Sequence, residues 1–109
     1  ASSQSWLGRA YNYGRGVPQS DKEAVKWYRL AAEQGDSRAQ NSLGLFYLQG
    51  IEVIQDYKEA HMWFNIAAST GYANAVKNRD IIAKVMTPSQ MEEAQKLVRE
   101  CVKKDYKGC

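Results

Sequence analysis

The sequence predicts an all-α fold: antiparallel helix hairpins stacked into an α-solenoid of about six helices. Two observations carry that reading. Sliding the chain against itself by 36 positions superposes Leu7 on Leu43, Gly8 on Gly44, Tyr11 on Tyr47, Trp27 on Trp63, Ala31 on Ala67 and Gly35 on Gly71, with no gap. A fixed period in the range of roughly 20–50 residues is the mark of units that bury their apolar face only against their neighbours. The second observation is chemical. The repeated residues are small, aromatic and helix-ending types in the order helix, turn, helix, stop. The period divides the chain into a first unit over 1–36, a second over 37–72, and an eroded unit with capping helices over 73–109. Because Ser3 aligns with Ala39 and Gln4 with Gln40, the chain is expected to begin inside a repeat, as a mature product or excised fragment would. Further repeats or a signal peptide would precede Ala1.

The first helix is expected from about Ser3 to Tyr13, with Leu7 and Tyr11 on one face at the i, i+4 spacing. Gly8 and Gly44 fall in mid-helix, where glycine costs about 1 kcal/mol relative to alanine, so a second helix is expected to cross there at close range. The pairs Ala31-Ala32 and Ala67-Ala68 offer small surfaces for that approach, while Trp27, Trp63, Tyr28 and Phe64 supply bulk between hairpins. Gly14-Arg15-Gly16-Val17-Pro18 reads as the inter-helix turn, not as a ligand loop. Ser20 or Asp21 caps the next helix, which runs to about Glu33 and buries Ala24, Trp27, Tyr28 and Ala31. Gly35 and Gly71 follow the second helix of each unit, where a left-handed residue closes a C-terminus.

These residues resemble a known family. Trp6-Leu7-Gly8-Arg9-Ala10-Tyr11, Gly14-Arg15-Gly16-Val17, Lys22-Glu23-Ala24-Val25-Lys26-Trp27-Tyr28 and Ala31-Ala32-Glu33-Gln34-Gly35-Asp36 look like the Sel-one-like repeat (SLR), a relative of the tetratricopeptide repeat with a longer turn. The second copy departs from the pattern in Gly50-Ile51-Glu52-Val53, which lacks the second turn glycine, and in Ser69-Thr70-Gly71. The resemblance implies a right-handed superhelix whose first helices line a concave surface. On that register the groove-facing, partner-binding positions are Arg9, Asn12, Asn41, Leu45 and Leu48, with Lys77 from the third unit. Leu45 and Leu48 have a second reading, as packing against adjoining helices of the same short domain.

The second unit starts near Asp36, and its outer helix opens near Asp56 with Ala60, Trp63, Phe64 and Ala67 on the buried side. His61, the sole histidine, reads as a surface or partly packed residue and not as a ligand or base. In the third unit Arg79-Asp80 occupy the places of Leu43-Gly44, and a helix through Ile81, Ile82 and Val85 is expected. Thr87-Pro88-Ser89-Gln90 then opens a last helix with a capping box, its apolar stripe running through Met91, Ala94, Leu97, Val98, Cys101 and Val102. An amphipathic last pair suits the end of a stack, which needs a polar outer surface.

Cys101 and Cys109 are eight residues apart, about 12 Å along a continuous helix at 1.5 Å per residue. A disulfide therefore requires the helix to stop near Asp105 or Tyr106 and the tail to fold back. That pairing would place the chain in an oxidising compartment, periplasmic or secreted; the alternative is two free thiols in the cytoplasm.

A net charge of +3 with scattered lysines does not argue for nucleic acid, and no apolar run approaches the length of a membrane span. There is no phosphate-binding glycine loop and no histidine paired with a nucleophile, so no cofactor, metal or catalytic residue is assigned. The expected function is a non-enzymatic module that binds another protein or peptide on its concave face. The resemblance implies adaptor or scaffold roles, often at the bacterial envelope, with an immunity protein against a secreted effector as the alternative. Cysteine-rich relatives linked to β-lactam binding or hydrolysis carry a cysteine pair in each repeat, and neither complete repeat here contains a cysteine.

Overall fold

A computed structural model describes residues 2–109, with side chains from Gln4 onward. Six helices follow in chain order: α1 Ser2–Tyr13, α2 Asp21–Glu33, α3 Ser37–Gln49, α4 Tyr57–Ala68, α5 Ala73–Ala83 and α6 Pro88–Lys103. Each of the first four packs on the next, so α1 with α2 and α3 with α4 form the two hairpins, and α2 against α3 joins them. The assembly measures 42 × 25 × 24 Å.

The helix ends are set by side chains. Ser20 Oγ accepts the Glu23 N–H at 3.3 Å, Asp36 Oδ1 the Ala39 N–H at 3.1 Å, and Asp56 Oδ1 the Lys58 N–H at 2.9 Å. Each satisfies an amide that the helix itself leaves unbonded. Thr87 and Gln90 form the reciprocal capping box, with Pro88 in the first turn. The two long turns are the same turn built twice. Arg15 N–H donates to Ala10 C=O and Ser20 N–H to Tyr11 C=O, and one period later Ile51 donates to Phe46 and Asp56 to Tyr47, all at 2.9–3.0 Å. Gly16 sits at φ +80°, and Glu52, where the second copy lost its glycine, still adopts φ +59°. The ladder of the turn thus imposes a left-handed backbone on a residue that resists it.

The mid-helix glycines are explained by one contact each. A Cβ on Gly8 would lie 2.6 Å from Cδ1 of Tyr28, and a Cβ on Gly44 would lie 2.6 Å from Cδ1 of Phe64. The bulk against the glycine is therefore the aromatic ring of the hairpin's own second helix. Tyr28 and Phe64 lock each hairpin internally and do not act only as filler between hairpins. Tyr28 then meets Phe46 edge-on, ring centroids 5.8 Å apart, which links one hairpin to the next.

The main core gathers Ala24, Tyr28, Ala31, Ala32, Ala39, Leu43, Phe46, Met62, Trp63, Ile66 and Cys101. A second cluster sits around Phe64, with Ala60, Ile82, Met86 and Ala94. Gln40, fully buried, donates from Nε2 to Ala32 C=O at 3.1 Å and stitches the two hairpins together. Trp63 is completely buried, whereas Trp27 is half-buried and lies outside the main cluster, so the expectation of core packing holds fully for only one of the pair.

The third unit is not a third copy of the hairpin. Both α5 and α6 pack on α4, and they touch each other far less than the two helices of either hairpin do. The places of Gly44 and Phe64 are taken one period later by Asp80 and Glu100, so the glycine-on-ring lock is missing. α5 stops at Ala83, short of Val85, and Ile81 and Val85 face solvent. Val102 is also exposed; Ala94 and Cys101 carry the buried stripe of α6.

After α6 the chain turns back through Asp105 and Tyr106, both left-handed at φ +56° and +68°. Cys101 and Cys109 are joined, with Cα atoms 5.6 Å apart. The Tyr106 ring lies over Gly35, and the Gly108 N–H points to Glu33 Oε2 at 3.4 Å. The tail consequently ties the far end of the stack to the end of α2.

Candidate functional site

The odd-numbered helices α1, α3 and α5 line one side of the stack, and a groove of about 340 Å3 runs across them. Of the positions expected to meet a partner, the fold brings Arg9, Asn41 and Leu45 into this groove. Arg9 is exposed on α1. Asn41 is buried, and its Oδ1 accepts from Asn78 Nδ2 at 3.0 Å, which pins the floor of the groove to α5. Leu45 contributes an edge while its remaining surface packs against the Phe64 cluster.

Asn12, Leu48 and Lys77 are outside that lining. Leu48 is half-buried against the Phe64 cluster, as the packing alternative had it. Lys77 is exposed on α5. Asn12 lies near a residue of the lining: burial raises the Tyr28 phenol above its ordinary pKa, and the side chains of Ser42 and Asn12 at that hydroxyl, with Arg9 nearby, oppose the rise. The Tyr28 ring therefore locks the first hairpin while its edge faces the groove.

Sequence reasoning missed Arg38, Ser42, Tyr13, Tyr72 and Asn74, which complete the walls. A signal was available. Arg38 and Asn74 are one period apart, so the first turns of α3 and α5 point the same way. Arg38, Ser37 and Tyr72 also border an open depression of about 530 Å3 at the starts of α3 and α5, where Ser37 Oγ and Thr70 Oγ1 are 2.6 Å apart.

Elsewhere the chemistry is structural. His61 is buried, deeper than the surface or partly packed place expected of it. Burial, then the nearby Arg79, lowers its pKa, and Asp80 offsets part of this. Its Nδ1 has no hydrogen-bond partner within the fold, and burial disfavours the charged ring. Glu59 faces the crevice between α4 and α6; burial and the neighbouring Asp56 raise its pKa, against Arg29, Lys58 and Lys104. Among the described residues no cluster of three His, Cys, Asp or Glu could hold a metal ion. No described helix is long and apolar enough to cross a membrane.

Comparison with known proteins agrees with the geometry. The Sel1 repeat family matches residues 1–36 and again 37–72. Among solved structures, a protective antigen of uropathogenic Escherichia coli strains, described as displaying an SLR fold, superposes with a TM-score of 0.88 at 34% identity over 96% of this chain. The chain spans only 24% of that protein's length. A Sel1 repeat protein from Oxalobacter formigenes superposes with a TM-score of 0.61 at 28% identity, covering 87% of each chain. Two in-register repeat matches, the duplicated turn and the paired glycine–aromatic locks lead to one conclusion: the chain belongs to the Sel1 repeat family, whose helical solenoids serve generally as protein-interaction scaffolds.

Proposed function

We propose that this protein is a non-enzymatic binding module that holds another protein or peptide in the groove across α1, α3 and α5. One observation carries the reading: Arg9, Tyr13, Arg38 and Asn74 line a shared depression yet are exposed, so their side chains contribute little to the core. Groups that a fold places together without burying are available to a partner. A photo-crosslinking residue at Arg9 or Asn74 is expected to yield a protein adduct with the physiological partner. The same residue at Lys26 or Arg99, exposed on α2 and α6, is expected to yield none. Adducts formed only from α2 and α6 would refute the groove.

The Cys101–Cys109 bond supports a periplasmic or secreted location, because such bonds persist in oxidising compartments. Non-reducing peptide mass spectrometry of protein from its native host should recover a cross-linked peptide pair. Fully alkylatable thiols would place the chain in the cytoplasm instead.

A further inference from the structure

We infer that the occupant of the groove is an acidic, extended peptide segment of the partner, an assignment that rests on the groove reading above. The charge of the protein is segregated by helix. α1 and α3 carry no carboxylate at all, and α5 carries only Asp80. Against that single anion the three inner helices present Arg9, Arg38, Lys77 and Arg79. Four cations less one anion is +3, equal to the formal net charge of the whole chain, while the remaining helices and turns balance to zero.

Arg79 Nε meets Asp80 Oδ1 at 3.4 Å, which takes that pair out of play. Among the described residues neither Arg9 nor Arg38 has an ion-pair partner, and no carboxylate lines the groove between them. Two unpaired guanidinium groups on neighbouring helices are a receptor for carboxylates, which they can bind with two hydrogen bonds each. Asn78 directs one bond to Asn41 Oδ1, and the Asn41 amide N–H groups suit a peptide carbonyl. Tyr13 and Tyr72 flank the arginines and add apolar surface for side chains between the acids. A nucleic-acid backbone would need a longer unbroken track of cations than two arginines provide.

The test is an unbiased array of 12-residue peptides probed with the full chain, followed by fluorescence anisotropy on the best binders. The binders are expected to be rich in Asp and Glu. Replacing their acids by the corresponding amides should weaken binding at least tenfold, as should the double variant Arg9→Glu, Arg38→Glu, with circular dichroism unchanged. The control Lys26→Glu, Arg99→Glu alters net charge equally on α2 and α6 and should change affinity less than twofold. Binders that respond to Arg9 and Arg38 but are not acidic would overturn the acidic assignment and leave the groove standing. Binders indifferent to both arginines, or no binders at all, would overturn the groove as well. Preference for a single-stranded oligonucleotide over every peptide would replace the peptide by nucleic acid.

Discussion

The first and second hairpins spell nearly the same message and are buried to very different degrees. Trp63 is fully enclosed, and Trp27, one period earlier, is half-buried. Ile66 is 3% exposed, whereas its counterpart Leu30 is 38% exposed. Within each hairpin, however, the contacts are alike: Gly8 under Tyr28, Gly44 under Phe64, and two matching turn ladders. The second hairpin is covered by α2, α5, α6 and the disulfide tail together, with Cys101 in the same cluster as Met62, Trp63 and Ile66. A repeat therefore encodes its own closure, and its position in the stack decides how much of its outer surface is removed from water.

That contrast can be broken most sharply at the tryptophans. Trp63→Ala is expected to cost about 4 kcal/mol, the range for emptying a large core site, and Trp27→Ala no more than about half of that. Urea unfolding of the two variants provides the comparison, and equal costs would show that stack position does not matter. The glycine locks should behave in the opposite way, because they are internal to each hairpin. Gly8→Ala and Gly44→Ala should each lose about 2 kcal/mol, with ring displacement outweighing the helix-propensity gain of about 1 kcal/mol. A gain in stability at either site would mean that the ring moves aside freely.

A third comparison concerns the turns. Glu52→Gly restores the residue present at Gly16 and relieves a left-handed backbone, so thermal unfolding should show a stabilisation of about 0.5–1 kcal/mol. Loss of stability there would mean that the Glu52 side chain contributes more than its backbone costs. The smallest effect near neutrality belongs to His61, which replaces Val25 of the first hairpin. Its pKa in the fold lies below the usual 6.5, so the unfolded chain binds the proton more readily. Its contribution is complete above that value and declines as pH falls below it. Unfolding at pH 7 and pH 5.5 should show a smaller acid loss for His61→Val than for the natural chain. An identical loss would assign the acid sensitivity elsewhere.

Much of this could be read from residue order, because a lock needs its two halves at a constant separation. The spacing of Gly8 to Tyr28 and of Gly44 to Phe64 is the same, so the hairpins were legible even though the partner of each glycine was not. Capping was equally plain, since Ser20, Asp36, Asp56 and Thr87 act on amides two or three residues away. The groove was legible in part. Arg9, Asn41 and Leu45 follow from helix register, but Tyr72 lies at the N-cap of α5 and Ser42 and Arg38 enter from α3, positions whose convergence depends on how adjacent helices cross. His61 lies deeper than its sequence context implies for a related reason: nothing local distinguishes a histidine under a neighbouring helix from one at the surface.

The chain's order of residues, by itself, determined the hairpins, their caps and turns, and the segregation of charge onto the inner helices. All of these depend on neighbours along one helix or on two helices joined by one turn. Only the tertiary structure decided which tryptophan is sealed, that α5 and α6 lean on α4 without locking to each other, and which side chains share the groove. Those outcomes rest on surfaces from segments far apart in the chain, and the area each helix loses to water is a property of the whole stack.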